Sequence, residues 1–120
     1  MRILVITLAS LTVLIFDQLS KYIFATSYNT DFMLGIPGPS TALMVVLMIV
    51  GLVLIVWKLS PSWAVGLIVG GGMSNAVDRI TLDGVRDFIP LSNVLFNVAD
   101  IAVLIGVIGW FYTQRREVRR

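Results

Sequence analysis

Gly66-Leu67-Ile68-Val69-Gly70-Gly71-Gly72-Met73-Ser74-Asn75-Ala76-Val77-Asp78-Arg79 is the stretch on which the fold turns. Gly66, Gly70 and Ser74 stand four residues apart. On an α-helix that spacing stacks them along one face, where small residues let a second helix approach closely inside a membrane. The run then turns polar, with Asn75, Asp78 and Arg79 at i, i+3 and i+4 on one face. Ionisable groups in a membrane segment are costly and face the bundle interior or water. Two compatible readings follow: an Asp78–Arg79 pair with Asn75 cross-linking helices, or a polar support for an active site.

The composition around this stretch agrees with a membrane setting. The 120 residues are 58% hydrophobic and 13% charged, against roughly 45–50% and about 25% in soluble domains. Three further apolar segments accompany the one from Trp63 to Ile80: Ile3 to Phe24, Ser40 to Trp57 and Leu95 to Tyr112. Each approaches the roughly 20 residues a helix needs to cross a bilayer. The runs are continuous rather than alternating, which argues against the strands of a barrel. The expectation is an all-α membrane protein, one domain over residues 1–120, with four transmembrane helices over 3–24, 40–57, 63–80 and 95–112. Gly35-Ile36-Pro37-Gly38-Pro39, Ser60-Pro61-Ser62, and Asp83-Gly84 with Pro90 supply the breaks between them. Met1-Arg2 and the apolar run after it read as a retained first helix, because Asp17-Gln18-Leu19-Ser20-Lys21 follows with no small-x-small cleavage site.

Charge placement orients the helices. Arg2, Lys58, Arg115, Arg116, Arg119 and Arg120 fall on one side of an even number of spans, which the positive-inside rule makes cytoplasmic, together with both termini. Lys21, Arg79 and Arg86 fall on the other side, with small extracytoplasmic loops. So do six of the seven acidic residues: Asp17, Asp31, Asp78, Asp83, Asp87 and Asp100. Asp31 and Asp83 read as ordinary solvated loop residues.

The chain has no cysteine and no histidine. Disulfides, thiol nucleophiles, thiolate zinc sites and imidazole bases are excluded, so catalysis falls to carboxylates, hydroxyls, lysine or arginine. Phe96-Asn97-Val98-Ala99-Asp100 opens the last apolar run, and either Asn97 or Asp100 suits its helix N-terminus. Asp87 sits among apolar neighbours in Gly84-Val85-Arg86-Asp87-Phe88-Ile89-Pro90, close enough in sequence to reach the same rim as Asp100. Two carboxyls in a poorly solvated pocket cannot both ionise readily and share a proton. One then takes a proton from water while the other polarises a peptide carbonyl. Spacing leaves Asp78 and Asp87 both open as the partner of Asp100. Asp17 and Lys21 are i, i+4 and read as an intrahelical pair, with a lipid headgroup or a substrate carbonyl as the alternative contact for Lys21.

Together these motifs resemble the lipoprotein signal peptidases (signal peptidase II). The family's D-Q-x-x-K is matched by Asp17, Gln18 and Lys21, and its asparagine-to-glycine stretch is similar to Asn29 through Gly35. Its G-N-x-x-D-R and G-x-x-x-D-F are matched by Asn75, Asp78, Arg79, Gly84, Asp87 and Phe88, with Ser74 in the glycine position and Gly84 three residues before Asp87. Its F-N-x-A-D is matched by Phe96, Asn97, Ala99 and Asp100. The resemblance implies Asp87 and Asp100 as the catalytic pair. It implies Asp17, Lys21, Asn29, Gly35, Asn75, Asp78, Arg79, Asn97 and Ala99 as substrate-binding or supporting residues. It implies removal of signal peptides from diacylglyceryl-modified bacterial prolipoproteins at the inner membrane, by a monomer among membrane lipids. No metal, organic cofactor or nucleic acid is implied. Family members usually carry a longer segment, with a small substrate-cradling sheet, where only Tyr22 to Tyr28 separate Lys21 from Asn29 here. Two other readings are a non-catalytic lipid- or peptide-binding relative and a small proton- or cation-coupled transport subunit.

Overall fold

The glycine stripe does what its spacing predicts: it makes one helix the centre of the bundle. In the computed structural model, which describes residues 1–30, 40–59 and 61–120, four helices form: α1 (Arg2–Phe24), α2 (Thr41–Lys58), α3 (Ser62–Leu82) and α4 (Val98–Val118). Asp31, the Gly35-to-Pro39 connection and Ser60 lie outside the described residues, so Gly35 has no place in the account that follows.

Helix α3 packs against the other three. On one face Gly66 meets Ile6 and Ala9 of α1, and Gly70 meets Ser10 and Val13. One turn on, Ser74 meets Asp17 and Gln18 of the same helix, so α1 and α3 run parallel. On a second face Gly71 lies against Ala99 and Val103 of α4, and Gly106 of α4 lies against Ala64 and Ile68, so that pair runs antiparallel. Contact at Gly71 is against backbone, which cannot swing aside: a Cβ there would sit 2.5 Å from the Ala99 carbonyl oxygen. Helix α2 closes the bundle antiparallel to α3, with Leu52 against Gly72 and Met44 beside Arg79.

The outward faces are apolar. Leu4, Leu8, Leu11 and Ile15 of α1, and Leu43, Leu47, Val50 and Leu54 of α2, are exposed. Both helices are long and apolar enough to cross a membrane. The buried set instead holds Asp17, Lys21, Ser74, Asp78, Arg79, Asp87 and Asn97. Where lipid is the outer solvent, polar groups turn inward and small residues carry the helix contacts. At the opposite end, Arg2 donates from Nη2 to the Val56 and Leu59 carbonyls (2.8 and 2.6 Å), closing the C-terminus of α2.

Two two-stranded antiparallel sheets are added to the all-α expectation. Strand β1 (Ser27–Asn29) pairs with β2 (Val85–Asp87), with Ser27 opposite Asp87 and Asn29 opposite Val85. Strands β3 (Ile89–Leu91) and β4 (Val94–Phe96) form a hairpin whose turn places Ser92 at a φ of 59°. The expected fourth helix is corrected accordingly. Leu95 and Phe96 belong to the hairpin, so the helix starts at Val98 and continues past Tyr112 to Val118. Helix α3 runs two residues beyond Ile80 and ends at Asp83, which adopts a left-handed φ of 60° and turns the chain into β2.

Replacing Gly71 by alanine drives a methyl group into the α4 backbone, whereas Gly51 has open space around it. Gly71→Ala is expected to cost about 1–3 kcal/mol through overpacking, and Gly51→Ala to be neutral or slightly stabilising. Thermal unfolding in detergent reads both. Equal melting temperatures for the two variants would contradict the close α3–α4 contact.

Candidate active site

Asp17 begins the site because three helices meet on its carboxylate. Its Oδ1 accepts the backbone N–H of Ala99 from α4 at 2.7 Å, and its Oδ2 accepts the Ser74 hydroxyl of α3 at 2.5 Å. One turn along α1, Lys21 places Nζ 2.6 Å from the same oxygen. Ala99 is fully buried, its own N–H holding Asp17 and its carbonyl lying against Gly71.

Lys21 is only 1% exposed. Besides Asp17 it reaches Asp78 Oδ2 at 3.2 Å and donates to Asn75 Oδ1 at 3.0 Å. The lipid-headgroup alternative for this lysine is therefore corrected: its ammonium faces inward, onto three side chains. The Asp78–Arg79 pair is corrected as well. Successive helical residues point about 100° apart at 3.6 residues per turn, and the two diverge. Asp78 pairs with Lys21 and with Arg86 Nη2 at 2.9 Å. Arg79, also buried, turns toward α2 and donates from Nη1 to Met44 Sδ at 3.2 Å.

Asn75 and Asn97 join this charged cluster to Asp87 and Asp100. Asn97 caps α4: its Oδ1 accepts the Asp100 N–H at 2.9 Å while Asp100 Oδ2 accepts the Asn97 N–H at 3.0 Å. Both candidates for the helix start therefore take part, in a reciprocal capping box. The Asn97 amide Nδ2 donates to Asp87 Oδ1 at 2.8 Å and to Asn75 Oδ1 at 3.2 Å. Asn75 Nδ2 donates to Asp100 Oδ1 at 3.1 Å. The donors to each amide oxygen fix which way the amide points. Lys21 holds the Asn75 oxygen and the Asp100 N–H holds the Asn97 oxygen, so both NH2 groups face carboxylates. The side chain of Asn29, on β1, adds a further hydrogen bond to Asp87.

Neither Asp87 nor Asp100 makes an ion pair among the described residues. Burial pushes the Asp87 carboxyl up to about 6, and the negative charge of Asp100 adds to that. Hydrogen bonds from Asn97 and Asn29, and the charge of Lys21, oppose the rise without cancelling it. A carboxyl half-protonated near pH 6 beside a second carboxyl suits general acid–base work on water and a carbonyl.

The network thus unites Asp17, Lys21, Asn29, Asn75, Asp78, Asn97 and Ala99 around Asp87 and Asp100, with Arg79 set apart toward α2. Three members were not picked out by the sequence as site residues. Ser74 and Gln18 interlock, Gln18 Nε2 donating to Ser74 Oγ at 2.9 Å and to Asp78 Oδ1 at 3.0 Å. Arg86 had been counted only as an outer-face charge. The one available signal was that two buried acids, Asp17 and Asp78, need two cations, and Lys21 is only one of them.

Stability carries the mark of this arrangement. A carboxyl whose folded value lies near 6 rather than 3.8 favours folding below its unfolded value and loses that contribution as pH rises through about 6. Asp87→Asn removes the penalty. The variant is expected to match the wild type at pH 4 and exceed it by about 2–3 kcal/mol at pH 7.5. Unfolding at the two pH values measures this, and a pH-independent gap would contradict the burial of an ionisable Asp87.

Comparison with known proteins agrees with this geometry. The sequence profile of the family described as Signal peptidase (SPase) II matches residues 33–115. Lipoprotein signal peptidases from Methylorubrum extorquens and Anoxybacillus flavithermus are 44% identical over 62 residues and 37% identical over 89. Those alignments take in 48% and 65% of this chain, and span only 36% and 53% of the relatives' own lengths. A third, from Coxiella burnetii, is 28% identical with 82% of each chain covered. The fold is similar to that of a bacterial membrane enzyme solved by the in meso method, with a TM-score of 0.81 at 23% identity, covering 94% of this chain and 88% of that one. The match over residues 33–115 shows that the chain belongs to the signal peptidase II family.

Proposed function

We propose that this protein is an aspartic endopeptidase of the bacterial plasma membrane that removes signal peptides from diacylglyceryl-modified prolipoproteins, with Asp87 and Asp100 as its catalytic pair. One observation carries the reading: two carboxyls joined through Asn97, neither in an ion pair among the described residues, one with its proton affinity raised to about 6. Such a pair holds one proton between its members, and the proton belongs to the pair rather than to either residue.

In the proposed reaction the ionised carboxylate accepts a proton from water as the water oxygen bonds to the scissile carbonyl carbon. The protonated partner hydrogen-bonds the carbonyl oxygen and gives up its proton as the tetrahedral gem-diol forms. Collapse breaks the carbon–nitrogen bond, and a proton passes from the diol side through the pair to the departing amine. No acyl-enzyme forms. The amides of Asn75 and Asn97 keep their N–H groups on the carboxylates throughout, because Lys21 and the α4 N-terminus hold their oxygens. This is preorganised orientation, with the donors fixed before the charge moves.

In the proposed topology all four helices span the bilayer, with both termini cytoplasmic and the carboxyl pair near the outer face. Supporting it, Arg2, Lys58, Arg115 and Arg116 sit at the helix ends remote from Asp87 and Asp100, as the positive-inside rule requires. Clustering of the acids at one end, rather than along the depth of the bundle, favours hydrolysis over a proton or cation path. The proposed working unit is a monomer in contact with lipid and substrate.

Purified protein incubated with a diacylglyceryl-modified prolipoprotein is expected to release the signal peptide. Asp87→Asn and Asp100→Asn are each expected to fold and to lose about 10²–10⁴ in kcat. Undiminished cleavage by either folded variant would refute the pair, and binding without cleavage by the wild type would identify a non-catalytic relative.

A further inference from the structure

Strand β2 is three residues long, yet it must deliver Asp87 to the site. One edge is held by β1. The remaining support comes from the residue just before Asp87, which no family motif quoted above specifies: it falls at the open position immediately before D-F. The Arg86 backbone N–H and Nε both donate to Asp78 Oδ2, at 3.1 and 3.2 Å. Its Nη2 donates to Asp78 Oδ1 at 2.9 Å and to Gln18 Oε1 at 2.7 Å. Its carbonyl accepts the Asn97 amide at 3.3 Å, the same amide that binds Asp87. A single arginine thus ties β2 to α3, α1 and α4.

We infer that Arg86 is a positioning residue for the catalytic pair: its guanidinium clamp on Asp78 and Gln18 fixes the short strand that presents Asp87 to Asp100. The inference rests on the function proposed above. Bidentate geometry matters, because a planar fork fixes orientation as well as charge, and a lysine ammonium supplies only the charge. Charge matters too. Asp17 and Asp78, both fully buried, are balanced by Lys21 and Arg86. Among the described residues, the charged groups around Asp87 are Asp17 and Lys21 from α1, Asp78 from α3, Arg86 from β2 and Asp100 from α4. Loss of Arg86 leaves one cation for two buried acids and adds a net negative charge beside the pair. The arginine side chain is 25% exposed, so water enters where it is removed.

The test compares Arg86→Met and Arg86→Lys with the wild type, with Asp100→Asn as control. Cleavage of the lipid-modified prolipoprotein gives kcat and KM across pH, and hydrogen–deuterium exchange follows the amides from Val85 to Phe88. Arg86→Met is expected to lower kcat about 10²-fold, the scale of an ångström-level misplacement. KM should stay within about twofold, the pH profile should shift upward, and exchange in β2 should accelerate about tenfold or more while α1 and α3 stay protected. Arg86→Lys keeps the charge balance, and with it the fold. It is expected to restore the pH profile but neither the β2 protection nor most of kcat. Wild-type kcat and exchange in either variant would overturn the clamp. Should Arg86→Met fail to fold, Arg86→Lys alone decides, by the same β2 exchange. Should the wild type not cleave, or Asp100→Asn cleave equally, the proposed function falls, while the exchange measurement still decides whether Arg86 holds the strand.

Discussion

Two buried carboxylates matched by two cations are the constraint on which the rest of the site depends. Asp17 and Asp78 are both fully buried, and Lys21 lies between them at 2.6 and 3.2 Å while Arg86 closes the outer side of Asp78 at 2.9 Å. Breaking such a pair strands an uncompensated charge, at a cost of about 3–5 kcal/mol. The pairing therefore locks α1, α3 and β2 in register. It also uses the nearby cations fully, which leaves Asp87 and Asp100 with amide donors rather than salt bridges. One distribution of charge gives the structural acids their ion pairs and leaves the reactive acids with amide donors.

Close helix approach makes that distribution possible. Side chains as short as aspartate and serine bridge α1 and α3 only because Gly66 and Gly70 let the two backbones nearly touch. Gly71 does the same for α4, bringing the Ala99 N–H within 2.7 Å of Asp17. The glycines and the polar network are thus one device: the apolar end sets the spacing and the polar end uses it. The short segment between Lys21 and Asn29 is compatible with this device, since its Ser27 and Tyr28, with Asn29, suffice for β1 to pair with β2.

Much of the fold was legible in the sequence, because long apolar runs and small residues four apart have few other solutions. Helices α1, α2 and α3 begin and end within two residues of expectation. The strands were not legible, since three residues are too few to show alternation, and pairing of Ser27 with Asp87 is a contact across the chain. That hidden hairpin displaced the start of α4 from Leu95 to Val98. In the site, spacing leaves Asp78 and Asp87 both open, the adjacent Arg79 tips the choice only slightly to Asp87, and the family resemblance settles it. The geometry adds the physical distinction: Asp78 carries two ion pairs and Asp87 carries none among the described residues. The expected Asp78–Arg79 pair went wrong because adjacency in a helix was read as proximity. Of the partners of Arg86, Asp78 lies 8 positions back across the turn from α3 to β2 and Gln18 lies 68 positions away, and neither spacing marks a pairing in the sequence.

Direct titration of the carboxyls is the most decisive measurement of the shared proton. With aspartate labelled at the side-chain 13C, two signals assigned through Asp87→Asn and Asp100→Asn are expected to move together in two coupled steps, one with a midpoint near 6. Replacing Asp100 by asparagine should collapse the pair to a single step and lower the Asp87 midpoint, since the neighbouring negative charge is gone. Two independent titrations near pH 4, each indifferent to loss of the other carboxyl, would contradict the account.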